Sequence, residues 1–174
     1  GPDAGSALVD HPDVAKITFT GSDATGVRIY AQAAKTMKRV TLELGGKNPA
    51  ILHDATDLEP VLDEIMASAF AVCGQRCTAV SRVVVNRTLE AQVVAGLSKR
   101  AKAMQPMNGA SDGAKIGPLA SLQQLQDVDG FVTRAKAAGA TLAAGGEKLK
   151  MDTGGYFYTP TILSNVTRDM EVAR

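Results

Sequence analysis

Apolar positions along this chain recur at two spacings, and the spacing changes from stretch to stretch. "AKITFTG" (15 to 21) is a short apolar run ending in glycine, which predicts a buried strand. "SDATGVRIYAQAAKT" then predicts a helix, with Ser22 as N-cap and Asp23 favourable against the positive end of the helix dipole. "RVTLEL" (39 to 44) alternates and predicts a strand stopped by Gly45-Gly46. "NPAILHD" predicts another, with Pro49 at its start, where no ladder donor is needed. Leu58, Val61, Leu62, Ile65, Met66, Ala69 and Phe70 fall three and four apart and predict an amphipathic helix. Asp57 is its expected cap, Pro60 sits in its first turn, and Gly74 is its expected stop. "SRVVVNR" (81 to 87) predicts a strand, and Thr88 is the expected cap of a helix that buries Leu89, Val93, Val94 and Leu97. Residues 104 to 120, rich in Gly, Pro, Ser and Asn, predict a long loop of the kind that often carries function. A helix from Ser121 to Ala138, closed by Gly139, is expected to turn Leu122, Leu125, Val128 and Val132 inward. "ATLAAGG" predicts a short strand, and "GGYFYTPTILSNV" extended chain.

Strands alternating with helices predict the α/β class, a mostly parallel sheet flanked by helices. Such a sheet needs cover on both faces. The pattern opens almost at once on a strand and stops at "DMEVAR", as an internal piece of a larger fold would.

Composition narrows the function classes. An apolar fraction of 45% over 174 residues is that of a folded protein, one domain or parts of two. Nineteen basic against eighteen acidic residues leave +1 with no clustered patch, which argues against nucleic acid or a membrane surface as partner. No apolar run is long enough to span a bilayer. "GPDAGSALVD" lacks the charged start and apolar centre of a secretory signal, so the two cysteines point to a reducing, cytoplasmic compartment.

Both cysteines, Cys73 and Cys77, lie in "FAVCGQRCTA". A zinc pair needs two further ligands, and the only histidines, His11 and His53, stand far from each other and from the cysteines, so no metal is expected. A disulfide is disfavoured in a reducing compartment. Cys73 falls at the end of an apolar helix stripe and reads as a core thiol. Cys77 follows Gly74 at a helix-to-strand turn, an edge position where active sites tend to lie, and Arg76 adds a positive charge beside it. On the residues alone, Cys77 is either a structural thiol or a nucleophile. Glu43 closes a strand just before two glycines, which would let a flat ligand or another backbone approach closely.

"FTGSDATG", "LELGGKNP" and "GQRC", in that order, resemble the aldehyde dehydrogenase superfamily, and "KIGPLAS" and "GYFYTPTIL" extend the likeness over nearly the whole chain. The resemblance implies that Cys77 is the nucleophile and forms a thiohemiacetal, then a thioester. Glu43 would be the general base for the water that hydrolyses it. It implies cofactor contacts at Gly21, Ser22, Gly26, Leu44 and Gly45, with NAD or NADP as cofactor and a small-molecule aldehyde as substrate. Arg76 would fall in the variable slot of the cysteine motif and face substrate. Residues 1 to 44 would be the C-terminal part of the NAD(P)-binding domain, and residues 45 to 174 a partial catalytic domain. The parent would be a homodimer or homotetramer. A relative that acylates coenzyme A from the same thioester typically lacks the glutamate. A non-catalytic module is the remaining alternative.

Overall fold

Ser22 has extended backbone, and its Oγ accepts the Thr25 N–H at 3.4 Å, so the chain leaves a strand and enters a helix within two residues. This strand-to-helix step organises the first of two compact units in the computed structural model, which describes residues 2–55 and 57–174. The first unit spans Gly1–Gly46 and contains α1 (Pro2–Asp10), β1 (Lys16–Thr20), α2 (Asp23–Ala34) and β2 (Arg39–Glu43). β1 and β2 pair in parallel, with Ile17 opposite Val40 and Thr20 opposite Glu43. α1 precedes the first strand and packs on α2, a helix that the sequence pattern does not announce. β1 is not the buried strand expected. "KITFT" itself alternates, so Ile17 and Phe19 are half-buried while Lys16, Thr18 and Thr20 are exposed.

The second unit spans Lys47–Arg174. Its elements are β3 (Asn48–Leu52), α3 (Leu58–Phe70), β4 (Val80–Val85), α4 (Glu90–Ala103), α5 (Leu122–Ala137), β5 (Thr141–Ala144), β6 (Lys148–Leu149), β7 (Phe157–Tyr158) and β8 (Ile162–Ser164). β3 and β4 are parallel and joined through α3, a βαβ unit, while β5–β8 and β6–β7 are antiparallel. The α/β class therefore holds, with parallel pairing at both strand-helix-strand crossovers.

Leu52, Leu62, Ile65, Met66, Val93, Leu97, Ala101 and Ala144 form the main core. α3 and α4 meet closely at Gly96, where a Cβ would collide with Leu62 Cδ1. Leu62 is only 1% exposed, so Leu62→Ala should destabilise the protein by about 3 kcal/mol, lost methyl burial and cavity together, read as a lower urea midpoint. A second cluster gathers Leu119, Val132 and Tyr158.

Three local expectations need correction. α3 ends at Phe70, before Gly74, because Val72 (φ 51) and Cys73 (φ 58) already turn left-handed ahead of the glycine (φ 71). Thr88 does not cap α4. Its N–H and hydroxyl both bind Asn86 Oδ1, at 3.2 and 3.1 Å, and the helix starts two residues later. Leu122, the first residue of α5, is 49% exposed rather than inward.

Asp129 on α5 ties down the β6–β7 hairpin. Its Oδ2 lies 2.6 Å from Lys148 Nζ, and its Oδ1 accepts the Tyr158 hydroxyl at 3.2 Å. The hydrogen bond from Lys148 is the main cause that holds the Asp129 carboxyl below its ordinary value of 3.8. A depressed carboxylate stabilises the fold fully above that ordinary value and loses the contribution as pH falls through the lower folded value. Asp129→Asn should therefore lower the urea midpoint at neutral pH and flatten its decline in acid. Midpoints at the two pH values check this.

Candidate active site

The expected residues of the first unit meet at one edge. The Gly21 N–H donates to the Glu43 carbonyl at 3.1 Å and carries the parallel pairing one step past Thr20. The Ser22 carbonyl accepts the N–H groups of Thr25 and Gly26 at 3.1 and 2.9 Å, and its hydroxyl donates to Thr25 Oγ1 at 3.0 Å. Gly26 is buried because Leu44 lies across it. A Cβ on residue 26 would sit 2.8 Å from Leu44 Cδ2, so any larger residue there would have to push the Leu44 side chain away from the first turn of α2. Gly45 is different, since a Cβ would find only Asp23 Oδ1, at 3.9 Å, and no crowding demands glycine. Glu43 is exposed. Thus Gly21, Ser22, Gly26, Glu43, Leu44 and Gly45 gather where two parallel strands end and the helix between them begins. In open α/β folds such an edge takes nucleotides, because helix N–H groups and the dipole favour phosphate.

Cys77 belongs to the second unit, on the chain between α3 and β4. The Ala79 N–H donates to the Arg76 carbonyl at 3.1 Å, which closes a turn with Cys77 and Thr78 at its centre. Cys77 is exposed there. The preceding residues are anchored to the 104–120 loop. Cys73, half-buried, places Sγ 3.3 Å from both the carbonyl and the N–H of Gly117. It packs beside the second core cluster, so its reading as a core thiol holds with backbone partners added. Gln75 Oε1 accepts the Ala120 N–H at 2.9 Å, and its Nε2 donates to the Val72 carbonyl at 3.4 Å.

Asn48 is the residue that sequence reasoning misses. Its Nδ2 donates to the Cys77 carbonyl at 2.6 Å and to the Ala79 carbonyl at 3.2 Å. The one available signal is its position before Pro49, a residue without an N–H to offer β4. Nearby, Arg82 donates to the Lys47 carbonyl and, at 3.1 Å, to the Ala173 carbonyl. Burial, then the charge of Arg82, lowers the Lys47 ammonium below its ordinary range. Among the described residues, no group of three or more His, Cys, Asp or Glu side chains is placed to hold a metal. No helix there is long and apolar enough to cross a membrane.

The first unit thus carries a strand-to-helix edge suited to phosphate, and the second an exposed cysteine on a held turn. The chain belongs to the aldehyde dehydrogenase family, whose model matches residues 1–174. It is 40% identical over 174 residues to the chloroplastic betaine aldehyde dehydrogenase of Beta vulgaris, covering 100% of this chain and 35% of that protein. It is 38% identical over 174 residues to the peroxisomal aminoaldehyde dehydrogenase 1 of Pisum sativum, covering 100% of this chain and again 35% of the relative. The NAD+ complex of an aldehyde dehydrogenase from Bacillus cereus superposes with a TM-score of 0.95 at 41% identity, over 100% of this chain and 35% of that one. A betaine aldehyde dehydrogenase from Staphylococcus aureus in complex with NAD+ gives 0.91 at 32%, over 98% and 34%. The chain thus spans about 35% of the length of these curated relatives.

Proposed function

We propose that this chain carries the nucleophile and the general base of an enzyme that oxidises an aldehyde to a carboxylic acid with NAD or NADP. Cys77 adds through Sγ to the aldehyde carbon, and the carbonyl oxygen becomes an alkoxide in a thiohemiacetal. A soft nucleophile is needed because a trigonal aldehyde gives up hydride poorly and a tetrahedral alkoxide gives it up readily. The backbone N–H of Cys77 is one donor for that oxyanion. Oxidation leaves a thioester on Cys77. Glu43 takes a proton from the attacking water, and the acid leaves as the thiol is regenerated.

The residues at the end of β1 fit a dinucleotide. Gly21 and Ser22 open α2 at the strand edge, and the backbone N–H groups of its first turn suit a pyrophosphate. Gly26 and Leu44 shape the floor beside them. Bound there, the nicotinamide supplies the hydride acceptor. Residues 1 to 44 are accordingly assigned to the cofactor domain and residues 45 to 174 to the catalytic domain. Arg76 is assigned to the substrate side of the cysteine turn.

The observation that carries this reading is the exposed Cys77 thiol on a turn whose backbone is pinned on both sides. The test is near-ultraviolet absorbance of NADH or NADPH, with the protein at its natural full length and a panel of aldehydes that includes betaine aldehyde and aminoaldehydes. Aldehyde-dependent absorbance that Cys77→Ala removes supports the reading. Equal rates in the two proteins overturn it.

A further inference from the structure

Pro49 has no N–H to give to a ladder, and the pairing of β3 with β4 slips at this point, from Asn48 opposite Val80 to Pro49 opposite Arg82. The ladder is therefore irregular where β3 begins, and beyond the Asn48–Val80 pair the Asn48 side chain extends the contact toward the cysteine turn. One amide nitrogen reaches two carbonyls in turn, Cys77 at 2.6 Å and Ala79 at 3.2 Å. The two peptide planes that flank Cys77 are thus fixed from different sides. The plane before it, which carries the Cys77 N–H, is held by the Ala79 N–H on the Arg76 carbonyl at 3.1 Å. The plane after it is held by Asn48.

We infer that Asn48 is a positioning residue for the nucleophile: its amide fixes the Cys77–Thr78 peptide, and through it the direction of the Cys77 thiol and N–H. This rests on the reading of Cys77 as nucleophile. The amide touches no reacting atom. Its contribution is orientation, and orientation is sensitive, since a misplacement of about 1 Å can cost about a hundredfold in rate. An asparagine suits the role because both of its N–H groups donate in one plane. A serine offers one donor on a shorter arm, and an aspartate has the same shape with acceptors only.

The test uses the protein at its natural full length, with Asn48→Asp, Asn48→Ser and Cys77→Ala beside the wild type. Each variant is taken as the folded fraction from size exclusion, with folding checked by circular dichroism, and labelling of Cys77 then counts its sites, so unfolded protein does not enter the rate. Trypsin separates the two cysteines by cutting after Arg76, and Cys73 serves as the internal control. Asn48→Asp should lower kcat per labelled site about tenfold or more, with KM for the nicotinamide cofactor within about twofold, and Asn48→Ser should recover part of the loss. Wild-type kcat per site in Asn48→Asp, whether or not its melting temperature falls, would overturn the inference and leave the nucleophile standing. So would an equal loss in the aspartate and serine variants. Full activity in Cys77→Ala would overturn both.

Discussion

Cys77→Ala is expected to abolish aldehyde-dependent reduction of the cofactor, with turnover falling by about a thousandfold or more. The size follows from the chemistry. Without Sγ there is no tetrahedral alkoxide, and no other described side chain shares the turn as a nucleophile of comparable softness: Cys73, the other cysteine, is engaged with Gly117. The substitution leaves the fold almost untouched. Cys77 is exposed, so removing its sulfur opens no cavity, and the melting temperature should move by about a degree or two at most. Loss of activity with an unchanged melt, measured on the same preparation, separates chemistry from folding. Cys73→Ala is the contrasting case. It removes two backbone partners at Gly117 and should show first as a change in melting.

Glu43→Gln should slow release of the acid by about a hundredfold while the first turnover proceeds. Glutamine keeps the size of the side chain and loses the ability to accept a proton from water. Glu43 is exposed at the last position of β2, and its carbonyl, not its carboxylate, carries the bond from Gly21. The strand edge therefore survives the change. Rapid mixing should show a burst of NADH close to one equivalent per Cys77 site, followed by a slow steady rate. A variant with no burst assigns Glu43 to thiol activation rather than to hydrolysis. Added coenzyme A gives a further arm. A steady rate restored by its thiol, with acyl-coenzyme A as product, would move the assignment to the acylating class.

Much of this architecture was legible because it is local. Ser22 and Asp57 were readable as caps since each satisfies an N–H two or three residues on, and both do so. The stripe from Leu58 to Phe70 was readable because a helix repeats its face every three to four residues, and Leu62, Ile65 and Met66 are the buried ones. The misreadings arise where a distant contact overrides a local preference. Glycine at 74 is a good helix stop, yet the chain turns left-handed two residues earlier, at a valine and a cysteine that disfavour it. The bonds from Cys73 to Gly117 and from Gln75 to Ala120 hold that turn, and they reach across 44 and 45 residues. α1 shows too little periodicity in nine residues to be announced. At the candidate site, the strand-edge residues were proposed through the resemblance of their motifs to a known family. Asn48 was not, because its work is done on carbonyls 29 and 31 residues away.

That reach has a bearing on how the chain is made. Contacts between distant residues carry a loop-closure cost that must be met before they form, so they tend to consolidate after the helices between them. The thiol acquires its fixed bearing only once α3 has docked and β3 lies against β4. On the proposed reading, a nascent or partly unfolded copy would hold an ordinary surface cysteine rather than an aimed one, and completion of folding would itself arm the nucleophile.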